Sequence, residues 1–221
     1  MIDFRQHEDY FRCMKPTHTI EDLLGSRSRI AVLRVLLGVG VPLNASQIAA
    51  RTGLTRPAVA SVLADLSTAG AVRSSPAGRA TIHWLNRDSV YVANLVAPLF
   101  EAERRLPEDM LDSLAEAFHE GTVSVVLFGS YARGEQTPDS DVDVALVAAE
   151  GTSASAVGSA AADHATAFRD KFGASLSYLI YTMAEARSLS STSPGLLESI
   201  KRDGIVVSGL SPWEWSADVQ E

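Results

Sequence analysis

The chain has 221 residues, a formal net charge of −8, 46% hydrophobic residues and a single cysteine. That apolar share supports a packed core and excludes wholesale disorder, and no apolar run is long enough to span a bilayer. The lone Cys13 excludes an internal disulfide and a cysteine zinc site. The length fits one large domain or two small ones. The opening MIDFRQHEDYFRC lacks the apolar core of a signal peptide, so a cytoplasmic, non-membrane protein is expected. The charge is unevenly spread. Ser26–Arg87 holds eight arginines and one acid, Asp65, a net +7, which leaves −15 for the remainder. Such a split argues for two modules with different partners. A polyanion would select the basic one, although eight arginines can also simply solvate a small domain.

In chain order, residues 1–23 read as a polar arm with no clean period: a short helix packed on a partner, or a frayed terminus. Ile30, Val32, Leu33, Leu36 and Leu37 have helical spacing over Ser26–Gly38. Asn44 caps a short helix, Ala45–Arg51, that stops at Gly53. Thr55 caps a third helix, with Pro57 in its first turn, a buried stripe at Val59, Val62, Leu63 and Leu66, and a stop at Gly70. Ala71–Arg73 and Thr81–Leu85 then alternate as strands of a hairpin with Arg79 at its tip.

Residues 88–120 form a helical linker with two stripes, one of Val92, Leu95, Val96, Leu99 and Phe100 and one of Met110, Leu111, Leu114, Ala117 and Phe118. Pro107 between the stripes predicts two helices. Val123–Phe128 is a buried strand, followed by a short helix to Arg133, a loop over 134–140 and a second strand, Asp141–Val147. On that strand Asp141 and Asp143 share a face, because side chains alternate. A helix over Thr152–Lys171 turns Ala161, Ala165 and Phe168 inward and carries His164, read as a surface or satisfied histidine. Ala174–Tyr181 is a third strand, Glu185–Ser190 and Pro194–Arg202 are short helices, and Ile205–Val207 is a last strand. The tail, 210–221, carries Trp213 and Trp215, both exposed-looking.

The order helix, short helix, helix, hairpin over residues 24–87 resembles a winged helix-turn-helix of the ArsR/MarR-like kind, carried by SRSRIAVLRVLLG and ASQIAARTGLTRPAVASVLADLSTAGAV. Such a domain puts the start of its third helix into the major groove of double-stranded DNA. Here Thr55, Arg56, Ala60 and Ser61 would face bases, while Arg51, Arg73 and Arg79 would sit near phosphates. A single winged helix has a small footprint, so a homodimer is expected. A winged helix used only for protein pairing stays open.

The run GSYARGEQTPDSDVDVALV resembles the signature of minimal, MNT-type nucleotidyltransferases of the DNA polymerase β-like superfamily, and LLESIKRDGIVVSG resembles their close. Residues 121–209 would be that domain. The expected fold is therefore α+β: a winged helix, a helical linker, and a small mixed sheet flanked by helices. The residue types suit nucleotide chemistry. Gly129 lets a phosphate approach the backbone, and Ser130 offers a hydroxyl and N–H groups. Asp141 and Asp143 are hard ligands for Mg²⁺ or Mn²⁺ bound with an NTP. Arg133 would add charge at the phosphates, and Ser140 would fix the loop before the first aspartate. The resemblance implies transfer of NMP from the NTP to a protein or RNA hydroxyl, with a partner such as a HEPN-type toxin as acceptor. It also implies a third carboxylate from the next core strand. That strand has no acid: Ser175 or Ser177 stands in the place, and Glu185 lies beyond it. The alternative is a transcriptional regulator or antitoxin whose catalytically weak domain senses a nucleotide or binds protein.

Overall fold

The computed structural model describes residues 23–216, so the N-terminal arm apart from Leu23, and the last residues of the tail, lie outside the described residues. The chain divides into two compact units, one ending at Arg105 and the other starting at Leu106.

In the first unit, α1 (Arg27–Val39) starts at Ser26, whose hydroxyl accepts the Arg29 N–H. β1 (Leu43–Asn44) leads into α2 (Ala45–Thr52), and α3 (Arg56–Thr68) follows. Asn44 and Gln47 form a capping box: the Gln47 N–H donates to Asn44 Oδ1 at 3.0 Å, and the Asn44 N–H to Gln47 Oε1 at 2.9 Å. Thr55 caps α3 as expected, and Pro57 sits in its first turn, where no helical N–H is lost. β2 (Val72–Ala77) and β3 (Ala80–Leu85) form the antiparallel hairpin, with β1 on the other side of β3. Gly78, at φ 62°, begins the two-residue turn, and Arg79 completes it. Val32, Leu33, Ile48, Val59 and Leu66, on three helices, close one core. His83 is half-buried on β3.

The linker differs from the two-helix expectation. A π-helical stretch, Val92–Val96, runs directly into one helix, α4 (Ala97–Phe118), with Pro107 inside it. Proline removes one helical bond, to the Glu103 carbonyl. That carbonyl lies on an exposed stretch where water can take it, so the helix continues. The first stripe also splits: Val92 and Val96 are buried, whereas Leu95 and Leu99 are exposed.

In the second unit, β4 (Thr122–Phe128) is followed by α5 (Gly129–Arg133), β5 (Val142–Ala148), α6 (Ala154–Phe172) and β6 (Leu176–Tyr181). Then come α7 (Met183–Thr192), α8 (Pro194–Asp203) and β7 (Ile205–Gly209), which runs two residues past its expected end. The sheet order is β6-β5-β4-β7, parallel between β5 and β6 and antiparallel elsewhere. Alternation along β4 and β5 builds two cores. Val125, Leu127, Val142, Val144 and Leu146 meet Leu114, Phe118, Val157, Ala161 and Phe168. Val126, Phe128, Ala145 and Val147 meet Ala186, Leu189, Leu197, Ile200 and Trp215. Asp143 shares the parity of Ala145 and Val147, so it belongs to the face covered by α7 and α8.

Three expectations are corrected here. β5 starts at Val142, whose N–H donates to the Ser175 carbonyl at 2.8 Å, so Asp141 precedes the ladder and is exposed. Trp215 is fully buried, its indole N–H donating to Ser124 Oγ at 3.0 Å, whereas Trp213 is exposed as expected. His164 is half-buried rather than superficial. Its ring lies 5.8 Å from Phe118, and the buried Nε2 has no protein partner.

Candidate nucleotide and DNA sites

The Gly129 turn and the Asp143 carboxylate form one surface. Asp143 is paired in register with Phe128, the residue before the turn. Gly129 has φ 75°, and a Cβ built on it would collide with the Asp143 carboxylate. Only glycine provides both the backbone angle and the space. Ser130, the second residue of α5, is half-buried, and its carbonyl accepts the Glu135 N–H, which folds the following loop back.

Asp143 is half-buried, and burial pushes its carboxyl above the ordinary range. A hydrogen bond from the Ser177 hydroxyl and the charge of Arg133 act the other way, while the Asp141 charge adds to the rise. Ser177 is the residue of β6 in register with Asp143, so it, and not Ser175, faces the carboxylate. Ser175 Oγ is taken by Arg169 at 2.9 Å. Glu185 is no substitute acid, because its carboxylate closes the capping box of α7 on the Thr182 N–H and hydroxyl. Ser140 Oγ accepts the Thr137 N–H at 2.9 Å, which closes the loop ahead of Asp141.

Arg133 is engaged by two carboxylates: Nε donates to Glu135 Oε2 at 2.7 Å, and Nη1 lies 3.7 Å from Asp203 Oδ2. Asp203 also takes a bidentate bond from Arg202 at 2.8 and 2.7 Å. Neither Glu135 nor Asp203 is singled out by the sequence, and nothing local points from Asp203 to Arg133, 70 positions earlier.

In the first unit, Arg56 and Ser61 are exposed on α3, and Arg79 is exposed at the hairpin tip. Thr55 is exposed, and its hydroxyl accepts the Ala58 N–H at 3.4 Å. Arg51 bonds the Gln47 carbonyl at 3.2 Å through one of its nitrogens. Arg73 pairs with Asp88 at 3.0 Å, so a phosphate there would have to displace a carboxylate.

A family model described as a nucleotidyltransferase domain matches residues 108–204, and one described as an IclR helix-turn-helix domain matches residues 30–76. The chain carries a nucleotidyltransferase domain behind a helix-turn-helix domain. Solved structures similar to half of the chain include a toxin–antitoxin with AMP-PNP, at 20% identity, TM-score 0.35 and 82% of that chain covered. A second is the tri-AMPylated Shewanella oneidensis HEPN toxin in complex with MNT antitoxin, at 16% identity, TM-score 0.32 and 81% covered. Likenesses of this size carry no weight for activity. No curated protein matches the chain.

For the nucleotidyltransferase domain, the donor set suits a divalent cation shared with nucleotide phosphates. Among the described residues no group of three or more His, Cys, Asp or Glu could hold a metal. Two carboxylates beside a glycine turn fit an ion that keeps waters and takes its remaining ligands from substrate.

Proposed function

We propose that the helix-turn-helix domain binds double-stranded DNA and that the nucleotidyltransferase domain binds an NTP with Mg²⁺ or Mn²⁺, transferring NMP to a hydroxyl of a partner protein or an RNA. The observation that supports the site is the packing of the Asp143 carboxylate on the Gly129 backbone. It holds the carboxylate that would bind the cation directly against the turn that would face the phosphates. Asp141 and Asp143 would hold the cation, which neutralises charge on the triphosphate and on the leaving pyrophosphate. Gly129 and Ser130 would position the phosphates through backbone N–H groups and the hydroxyl. In the transfer, the acceptor oxygen forms a bond to the α-phosphorus, the bond to the α–β bridging oxygen breaks, pyrophosphate leaves, and the hydroxyl proton goes to solvent. The resemblance to MNT-type proteins makes a HEPN-type toxin the first acceptor to try, in a cytoplasmic homodimer.

One observation favours a second reading. β6 presents Ser177 to Asp143 where a third carboxylate would assist deprotonation of the acceptor. A hydroxyl is neither a metal ligand of comparable strength nor a base at neutral pH. On this reading the domain binds nucleotide, transfers slowly or not at all, and acts as a sensor or antitoxin. Incubation with α-labelled NTPs, Mg²⁺ and candidate acceptors separates the two. Label on an acceptor that vanishes in Asp141→Ala/Asp143→Ala supports transfer. Retained nucleotide binding without label supports the second reading. Transfer that survives the double substitution defeats the site.

A further inference from the structure

The nucleotidyltransferase half of the chain is strongly acidic. From Leu106 onward it has eighteen acids and only six cationic residues: Arg133, Arg169, Lys171, Arg187, Lys201 and Arg202. A triphosphate approaching two aspartates in such a domain needs a held positive charge. Arg133 ends the five-residue helix that begins at Gly129, and its charge is felt at Asp143. Two carboxylates hold it, and they differ in kind. Glu135 is 64% exposed, whereas the Asp203 side chain is 14% exposed. An exposed ion pair is weak and easily exchanged. A carboxylate that is mostly out of solvent and fixed by a bidentate partner is not.

The backbone explains why Asp203 stays in place. It is the last residue of α8, and α8 packs on α5. Gly204 follows, and a Cβ there would collide with the Ile200 carbonyl and come within 2.9 Å of Val126 Cγ1. The absence of a side chain lets the end of α8 press against β4, which sets Asp203 beside α5. Arg202 then occupies both Asp203 oxygens from the solvent side.

Building on the nucleotide site proposed above, we propose that Asp203 is a positioning residue for NTP binding. It anchors Arg133 from behind, while Glu135 occupies the guanidinium only until the β- and γ-phosphates of the nucleotide displace it. Arg133 is thus a triphosphate-selective contact, and the two acids that touch it have opposite effects. Removing Asp203 lets Arg133 swing away. Removing Glu135 removes a competitor.

Calorimetric titration of the full chain with ATP and with AMP, both with Mg²⁺, tests this. Asp203→Asn is expected to lower ATP affinity about tenfold, the loss of one charge-assisted contact, and to leave AMP affinity unchanged. Arg133→Gln should match that loss, the double variant should add nothing to it, and Asp203→Glu should recover part of it. Glu135→Gln should raise ATP affinity. Arg133→Gln keeps the test open if Asp203→Asn does not fold. An unchanged ratio of ATP to AMP affinity in Asp203→Asn and Arg133→Gln overturns the inference and leaves the nucleotide site standing. Failure of the unsubstituted chain to bind ATP overturns both.

Discussion

At Gly129 a single missing methyl group decides whether the candidate site exists. The residue sits at φ 75°, and the space a side chain would need is filled by the Asp143 carboxylate. Gly129→Ala is therefore expected to cost about 1–3 kcal/mol from backbone strain alone, and to abolish nucleotide binding as Asp143 is driven off its position. Urea denaturation and ATP titration of the same variant check both effects. His164 gives a second residue-scale outcome. Burial, aided by the Lys171 charge, lowers its pKa below the ordinary 6.5. The unfolded chain then takes up the proton first, so the imidazole's contribution to stability is whole above 6.5 and shrinks as pH falls below it. Stability relative to His164→Asn should decline between about pH 7 and pH 5, measured by urea midpoints at both. That β6 carries no acid is legible in its composition. Composition could not choose between Ser175 and Ser177, because that choice depends on the parallel register with β5. Asp203 was out of reach of the pattern for the same reason: its partner is brought near only by the packing of α8.

Helix ends were legible because their signals are local. Asn44, Thr55, Gly53 and Gly70 stand where the structure uses them: the side chains of Asn44 and Thr55 accept an N–H three residues on, and the two glycines take positive φ at the helix ends. Breaks were less legible. Pro107 removes one bond but does not end α4, because the decision depends on whether the freed carbonyl can reach water. Trp215 looked like surface and is core, since only the folded sheet supplies Ser124 as a partner for its indole. The capping box of α2 carries the prediction at this scale. Asn44→Ala should lower stability by about 1 kcal/mol through loss of the bond to the Gln47 N–H. The proposed nucleotide site lies in the other unit, so a folded Asn44→Ala chain should bind ATP as before while its thermal midpoint falls. A drop in ATP affinity without loss of fold would contradict the division into two units.

For the whole molecule the decisive property is the separation of charge along the chain. A net charge of −8 opposes DNA binding, yet the segment Ser26–Arg87 carries +7. Part of that is already spent inside the protein: Arg29 pairs with Asp65, Arg34 with Glu103 and Arg73 with Asp88. Among the described residues Arg56 and Arg79 are exposed without an ion-pair partner. Each phosphate neutralised releases counterions, so log affinity should fall linearly with log salt, with a slope of about −0.9 per contact. Arg56→Ala should reduce the slope by about one contact, because its cation has no other employment. Arg73→Ala should change it less, since the side chain must first leave Asp88. The sharper case is Asp88→Ala, which removes an acid and frees Arg73 together. It should strengthen binding at low salt and steepen the slope. Fluorescence anisotropy of a labelled duplex across a salt series reads all three. If Asp88→Ala left the slope unchanged while Arg56→Ala flattened it, the wing would lie away from the phosphates and α3 alone would carry the contact.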